Sequence, residues 1–276
     1  MNKIYCSSGV MVGRINNNNY KLITRYFPSL IDAGYINGVE FMFSNSFYDK
    51  LDDIYNEISY YGILFEVMHF DKEIGIMLSE SSADIANKAM ELLEINCKFA
   101  KRIGAKKGVF HLWGGIKSDS NIEFNISYIP KIICMFNKYD IELLIENIPC
   151  TNSSGLNIWK RLYSFLPQIG FIFDTRFGAF HDEINEIFDE PIWNHIKHIH
   201  ISDYSSYPRN FSKIRPILHP SEGVIDFDEL FKKLKKVNYT NSITLESPVF
   251  GEIEPDIEKL KNSLNYIKNQ LNKSRI

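Results

Sequence analysis

The chain has 276 residues, 45% of them hydrophobic, enough for one large core and within the usual span of an α/β barrel. Its 31 Lys and Arg stand against 34 Asp and Glu, a formal charge of −3, so no basic surplus points to nucleic acid or to an anionic membrane. The four cysteines lie far apart with no C-x-x-C spacing, no run reaches membrane-spanning length and no hydrophobic signal segment opens the sequence, which together predict reduced thiols in a cytoplasmic protein.

Short apolar runs alternate with longer helical patterns from end to end, the rhythm of repeated βα units. In chain order, "KIYCSSG" from Lys3 reads as a strand before a helix near residues 20–33. "NGVEFMF" from Asn37 precedes a helix near 48–61, and "ILFEVMH" from Ile63 precedes the clearest one, 82–102. In that segment Ile85, Ala89, Leu92, Leu93, Cys97 and Ala100 recur at helical spacing. "GVFHLWG" from Gly108 and "IELLIEN" from Ile141 lead into helices near 121–137 and 157–165. "IGFIFDT" from Ile169, "IKHIHIS" from Ile196 and "SITLESP" from Ser242 complete eight strands, with helices near 227–237 and 255–272. Neither a G-x-G-x-x-G nor a Walker-type loop follows the first strand, so the nucleotide sites of an open doubly wound sheet are missing. The arithmetic predicts a (β/α)8 TIM barrel, one domain across residues 1–276, with functional groups at the C-terminal ends of the strands.

Those strand ends share an oddity. His69 closes the third strand, His111 the fourth, Glu146 the fifth, Asp174 the sixth, His200 the seventh and Glu246 the eighth. Side chains in a strand alternate between faces, so with Glu146 inward, Leu143 and Ile145 face the helices. The same parity turns Phe173, Ile199 and Ile201 outward and leaves the polar ends in one pocket. A lone strand-end histidine is usually a hydrogen-bonded structural residue, but six such groups form a ring. Clustered carboxylates repel one another unless a cation offsets the cost. Two Glu, one Asp and one His suit one divalent ion, Mn²⁺, Mg²⁺, Co²⁺ or Zn²⁺, and a second ion near His69 and His111 is left open.

The set "GVEFMF", "LLIENIP", "FIFDT", "HIHISD", "HPSEGVIDFDEL" and "ITLESP" resembles the xylose isomerase-like TIM-barrel superfamily over almost the whole chain. That superfamily holds sugar isomerases, sugar epimerases and apurinic endonucleases of the endonuclease IV kind. The resemblance implies that Glu146, Asp174, His200 and Glu246 ligate the shared metal. It also implies that His69 and His111 line the substrate pocket or hold a further zinc, and that His219 occupies the position of another ligand or substrate contact. Trp113, just past His111, either offers an apolar face to a sugar ring or packs the barrel rim. Arg209, with Lys213 and Arg215, follows the seventh strand, where phosphate often binds in barrels, although a solvated loop is the ordinary explanation of such charges.

Three readings follow. The leading one is a metal-dependent isomerase or epimerase of a small sugar, sugar phosphate or related polyol ketone, with Glu146 and Glu246 as paired acid and base. The second is an apurinic endonuclease, and the third a non-catalytic sugar-binding barrel. The endonuclease motif Asp-x-x-His here reads "DTRF", with Phe177 at the histidine position, and Ile217 stands where an Asp would precede His219 by two residues. His181, four residues past Phe177 and expected at the start of a helix, is a poor substitute ligand. The sequence leaves the oligomeric state open.

Overall fold

The computed structural model describes residues 2–114, 119–189, 191–251 and 254–273. Eight short strands pair in parallel with their sequence neighbours: β1 (Ile4–Ser7), β2 (Gly38–Met42), β3 (Val67–His69), β4 (Lys107–Phe110), β5 (Glu142–Glu146), β6 (Gly170–Asp174), β7 (Ile196–Ile201) and β8 (Ser242–Leu245). The last pairs with the first, Ile4 opposite Ile243, and the sheet closes into a barrel. Around it run α1 (Lys21–Asp32), α2 (Leu51–Ser59), α3 (Glu73–Leu78), α4 (Ala83–Arg102), α5 (Ile122–Lys138), α6 (Gly155–Phe165), α7 (Thr175–His181), α8 (Phe227–Lys236) and α9 (Ile257–Lys273). The expected (β/α)8 barrel is therefore the observed fold. Among the described residues no helix is long and apolar enough to cross a membrane.

The strand parity divides the core in two. Outward residues such as Phe41, Phe110, Ile145, Phe173, Ile199 and Leu245 join the large cluster between sheet and helices. Tyr5, Val67, Val109, Leu144 and Ile172 form a separate cluster inside the barrel. Four of these sit two residues before His69, His111, Glu146 and Asp174, on the same face and one pleat lower. An apolar plug thus lies directly beneath the polar ring. On β7 and β8 the residues at the plug's level are His198 and Thr244, so this side of the interior is polar.

Two elements depart from expectation. Only the last three residues of the expected third strand are ladder-paired, because Leu64 and Glu66 bond the neighbouring strands through their carbonyls alone: Leu64 accepts from Val39, and Glu66 from Lys106 and Lys107. A helix also starts immediately after β6, where Asp174 caps α7 by accepting a hydrogen bond from the Phe177 N–H. His181 therefore closes that helix rather than opening one. Its Nε2 accepts the Cys150 N–H at 2.9 Å, which ties it to the segment after β5.

The residues that follow Glu146 and Asp174 each pin the next strand. Asn147 brackets Asp174, donating to its carbonyl at 3.1 Å and accepting its N–H at 2.7 Å. Thr175 does the same for Ser202, at 2.6 and 3.1 Å. These bridges hold the strand ends apart at fixed spacing, where no ladder bonds remain to do so.

Gly108 marks how tightly sheet and helix layers fit. A Cβ there would stand 2.5 Å from the Phe136 ring and 2.6 Å from the Phe70 ring, and those rings are stacked at 4.7 Å. Gly108→Ala is expected to destabilise the fold by about 1–3 kcal/mol through overpacking. Urea unfolding measures it, and an unchanged midpoint would show that the two rings yield freely.

Candidate metal centre

All six strand-end groups meet. Glu146, Asp174, His200 and Glu246 offer ligand atoms lying within 4.8 Å of one another, and His69, His111 and Glu146 form a second such set that shares Glu146. The focus of the first is His200 Nδ1, 3.0 Å from Glu146 Oε1 and 3.4 Å from Glu246 Oε2. Asp174 divides its carboxylate: Oδ1 caps α7, and Oδ2 is left for the ligand set. Buried oxygens with no hydrogen-bond partner occur on all three acids, Glu146 Oε2, Asp174 Oδ2 and Glu246 Oε1. Buried polar atoms are rarely left unmatched, and three on converging carboxylates fit a divalent cation. In the second set His69 donates through Nδ1 to the Phe70 carbonyl, which turns Nε2 toward Glu146. His69 Nε2 and His111 Nε2 lie 3.5 and 2.5 Å from Glu146 Oε2, yet neither makes a hydrogen bond of acceptable angle. Those three atoms likewise fit a cation.

A third group of metal-competent residues, Glu40, His198 and His200, behaves differently because its polar atoms are hydrogen-bonded to one another and to Thr244 and Ser242, Glu40 Oε1 alone excepted. Both oxygens of Glu40 lie 3.0 Å from His200 Nε2, and Oε2 also accepts from His198 Nε2 at 3.0 Å and from the Thr244 hydroxyl at 2.9 Å. His198 Nδ1 is 2.6 Å from Ser242 Oγ. This is a hydrogen-bonded support that fixes Nε2 of His200 as a donor and aims Nδ1 at the ligand set.

The charges follow. Burial opposes the charge on Glu40, but His200 and His198 hold it well below the ordinary carboxylate range. Burial likewise opposes charge on His200, and Glu246, Glu40 and Glu146 overcome it, holding this imidazole well above the usual histidine value. Desolvation pushes His111 down to about 3, so it is neutral at physiological pH. Asp174 is pushed up to about 6 by burial, with Glu146 and Glu246 adding and Arg176 opposing. Divalent binding at this set must displace protons from His200 and Asp174, so affinity falls as the solution is acidified.

Other expected contacts lie differently. Trp113 is fully buried in the core and donates to the Pro149 carbonyl at 3.4 Å, which is the rim-packing alternative rather than an open sugar platform. His219 is buried with both ring nitrogens engaged, Nδ1 by Ser263 and Nε2 by the Pro248 carbonyl. It fastens α9 to the end of β8 and has no nitrogen left for a substrate. Arg209 is exposed, its backbone N–H bonding the Phe180 carbonyl. Glu40 and His198 were missed in the sequence, although "GVEFMF" carries the same signal as "ITLESP", a carboxylate at an inward position between apolar neighbours.

Eight parallel strands with three acids and a histidine gathered at the ends of β5 to β8 define a (β/α)8 barrel with a metal-competent centre. A family profile described as xylose isomerase-like TIM barrel matches residues 30–270, and the chain belongs to that family. Solved structures of similar fold include an L-ribulose 3-epimerase, with TM-score 0.72 and 17% identity over 100% of this chain and 96% of that one. Another is the 3-keto-D-glucoside 4-epimerase YcjR from E. coli, with TM-score 0.69 and 14% identity over 98% and 100%. The IOLI protein with a bound zinc atom aligns with TM-score 0.69 and 15% identity over 97% and 96%. At these identities the likeness is one of fold. No curated protein matches the chain in sequence.

Two outcomes check the electrostatics. A raised carboxylate contributes stability that is present below its unfolded value of 3.8 and lost as pH climbs through about 6. Asp174→Asn keeps the helix cap and removes the charge, so in chelator at pH 8 it should melt above the wild type, by up to roughly 3 kcal/mol of stability. The gap should shrink at pH 5, and added Mn²⁺ should stabilise only the wild type; a chelated variant that melts lower at pH 8 would refute the strain assigned to this carboxylate. Glu40→Gln should weaken Mn²⁺ binding by about 10- to 100-fold. Calorimetric titration reads it, and an unchanged affinity would mean that Glu40 does not orient His200.

Proposed function

We propose that the protein is a divalent-metal-dependent isomerase or epimerase of a small keto sugar or related polyol ketone, free or phosphorylated. The observation that carries this reading is the convergence of Glu146 and Glu246, each with an unpartnered buried oxygen, on the same His200 Nδ1. Two carboxylates facing one small space are an arrangement for taking a proton from one face of a carbon and returning it to another. The epimerases among the structural neighbours and the zinc of the IOLI structure support the same reading.

Glu146, Asp174, His200 and Glu246 would hold the ion, which when bound polarises a carbonyl and its neighbouring hydroxyl. Glu246 is the member best suited to exchange protons, because its side chain keeps 10% of its surface exposed against 1% for Glu146. It takes the proton from the carbon beside the carbonyl, and Glu146 on the opposite side returns one to the enediolate. His200, fixed by Glu40, keeps both glutamates in register. His69 and His111, bordering Glu146, line the same space and are positioned to donate to or accept from substrate hydroxyls. The three-ion nuclease reading gains nothing from the structure, since Phe177 and Ile217 carry no ligand atom.

The test is to incubate the protein with Mn²⁺ or Co²⁺ and a panel of ketoses and ketose phosphates in heavy water. Deuterium should enter the carbon next to the carbonyl of at least one substrate. Glu246→Gln keeps one ligand oxygen and removes the base, so exchange should slow by about two to four powers of ten. Undiminished exchange in that variant would show that the base lies elsewhere.

A further inference from the structure

We propose that Arg176 is an anion-recognition residue of this site, so that the substrate carries an oxyanion, a carboxylate or a phosphate, beside its metal-bound end. The inference rests on the isomerase reading and names its substrate class. Arg176 lies two residues past Asp174 in the first turn of α7 and is only 6% exposed. An arginine so deeply buried normally has its charge cancelled and its fork filled. Here Nη1 donates to the Ile214 carbonyl at 3.0 Å, the guanidinium lies over the Phe177 ring at 4.3 Å, and Nε is buried with no partner.

The nearest carboxylate is no substitute. Asp174 Oδ2 lies 3.8 Å from Nη2, beyond hydrogen-bond reach, and that oxygen belongs to the ligand set while Oδ1 caps the helix. An ion in the site would draw off the carboxylate charge that faces Arg176, leaving a buried cation with no counterion. The group that best completes it is a bidentate oxyanion, which matches the planar fork of the guanidinium.

Position supports the assignment. Residual exposure of the buried cluster is concentrated at Glu246 with 10%, His111 with 9% and Arg176 with 8% of their side-chain surface, whereas Asp174 and His200 have none. A substrate held at the ligand set therefore has Arg176 at the open side, 3.8 Å from a ligand atom. The segment whose Ile214 carbonyl holds Arg176 also carries Arg209, Lys213 and Arg215, all exposed, which favours the approach of anions despite the overall charge of −3. Phe177 seats the guanidinium from the other face.

The experiment compares three probes on the Mn²⁺-loaded full chain by calorimetry: D-fructose, D-fructose 1-phosphate and 2-keto-D-gluconate. At least one anionic probe should bind about tenfold or more tighter than fructose. Which one does identifies the oxyanion as a phosphate or a carboxylate next to the carbonyl carbon. Arg176→Gln should erase that preference while Mn²⁺ still saturates the site, and Arg176→Lys, which keeps the charge but loses the fork, should fall between. The proposal is overturned if neither anionic probe binds wild type more tightly than fructose, including by no detectable binding. It is equally overturned if Arg176→Gln weakens all three probes alike, which would mark a residue that merely neutralises Asp174. The wild-type comparison decides even if the glutamine variant fails to fold. Anion preference without deuterium exchange on any probe would leave Arg176 assigned and defeat the isomerase chemistry instead.

Discussion

The structure depends on concentrating negative charge where water does not reach. Glu146, Asp174 and Glu246 surround one imidazole nitrogen inside a barrel, and three carboxylates so close together, two of them buried, are tolerable only with positive charge among them. His200 supplies part of that charge, which is why its proton is held so firmly. A divalent ion at Nδ1 would replace the proton and neutralise more. The raised Asp174 shows what is left unbalanced without it.

That concentration is sustained by what lies beneath and beside it. Below the ring, Val67, Val109, Leu144 and Ile172 fill half the barrel interior with apolar side chains. The other half is the hydrogen-bonded chain from Ser242 through His198 and Glu40 to His200, in which each polar group finds a partner. Asn147 and Thr175 then fix the backbone spacing of β5, β6 and β7 where the ladder stops. A site held on rigid strands with its own hydrogen-bonded support keeps its side chains in fixed positions. The residual exposure of the cluster lies at His111, Glu246 and Arg176, and "DTRF" sets Arg176 and Phe177 beside Asp174.

Family membership and a chain identity of 14–17% to solved barrels coexist because the two parts answer to different constraints. The closed sheet and its inward acids are set by hydrogen bonding and charge, which many sequences satisfy. Substrate choice falls to side chains at the strand ends and in the loops, which can change without disturbing the barrel.

The sequence by itself determined the period-two pattern of the strands, their number, and the inward acid or histidine that closes six of them. Those features are local: alternation along "IELLIEN" or "FIFDT" assigns Glu146 and Asp174 to one face without any long-range knowledge. The same alternation in "GVEFMF" marked Glu40, but its meaning required knowing that β2 faces His198 and His200 across the barrel, a separation of 158 and 160 residues. Likewise the histidine in "HPSEGVIDF" looks chemically competent, and only its distant partner Ser263 shows that the ring is already spent on packing α9. Nothing in "DTRF" singles out Arg176, because nothing local says that it will be buried beside Asp174 with its Nε unpartnered. Local pattern fixes which face a side chain occupies; what it meets there depends on contacts between residues far apart in the chain, and those exist only once the barrel has closed.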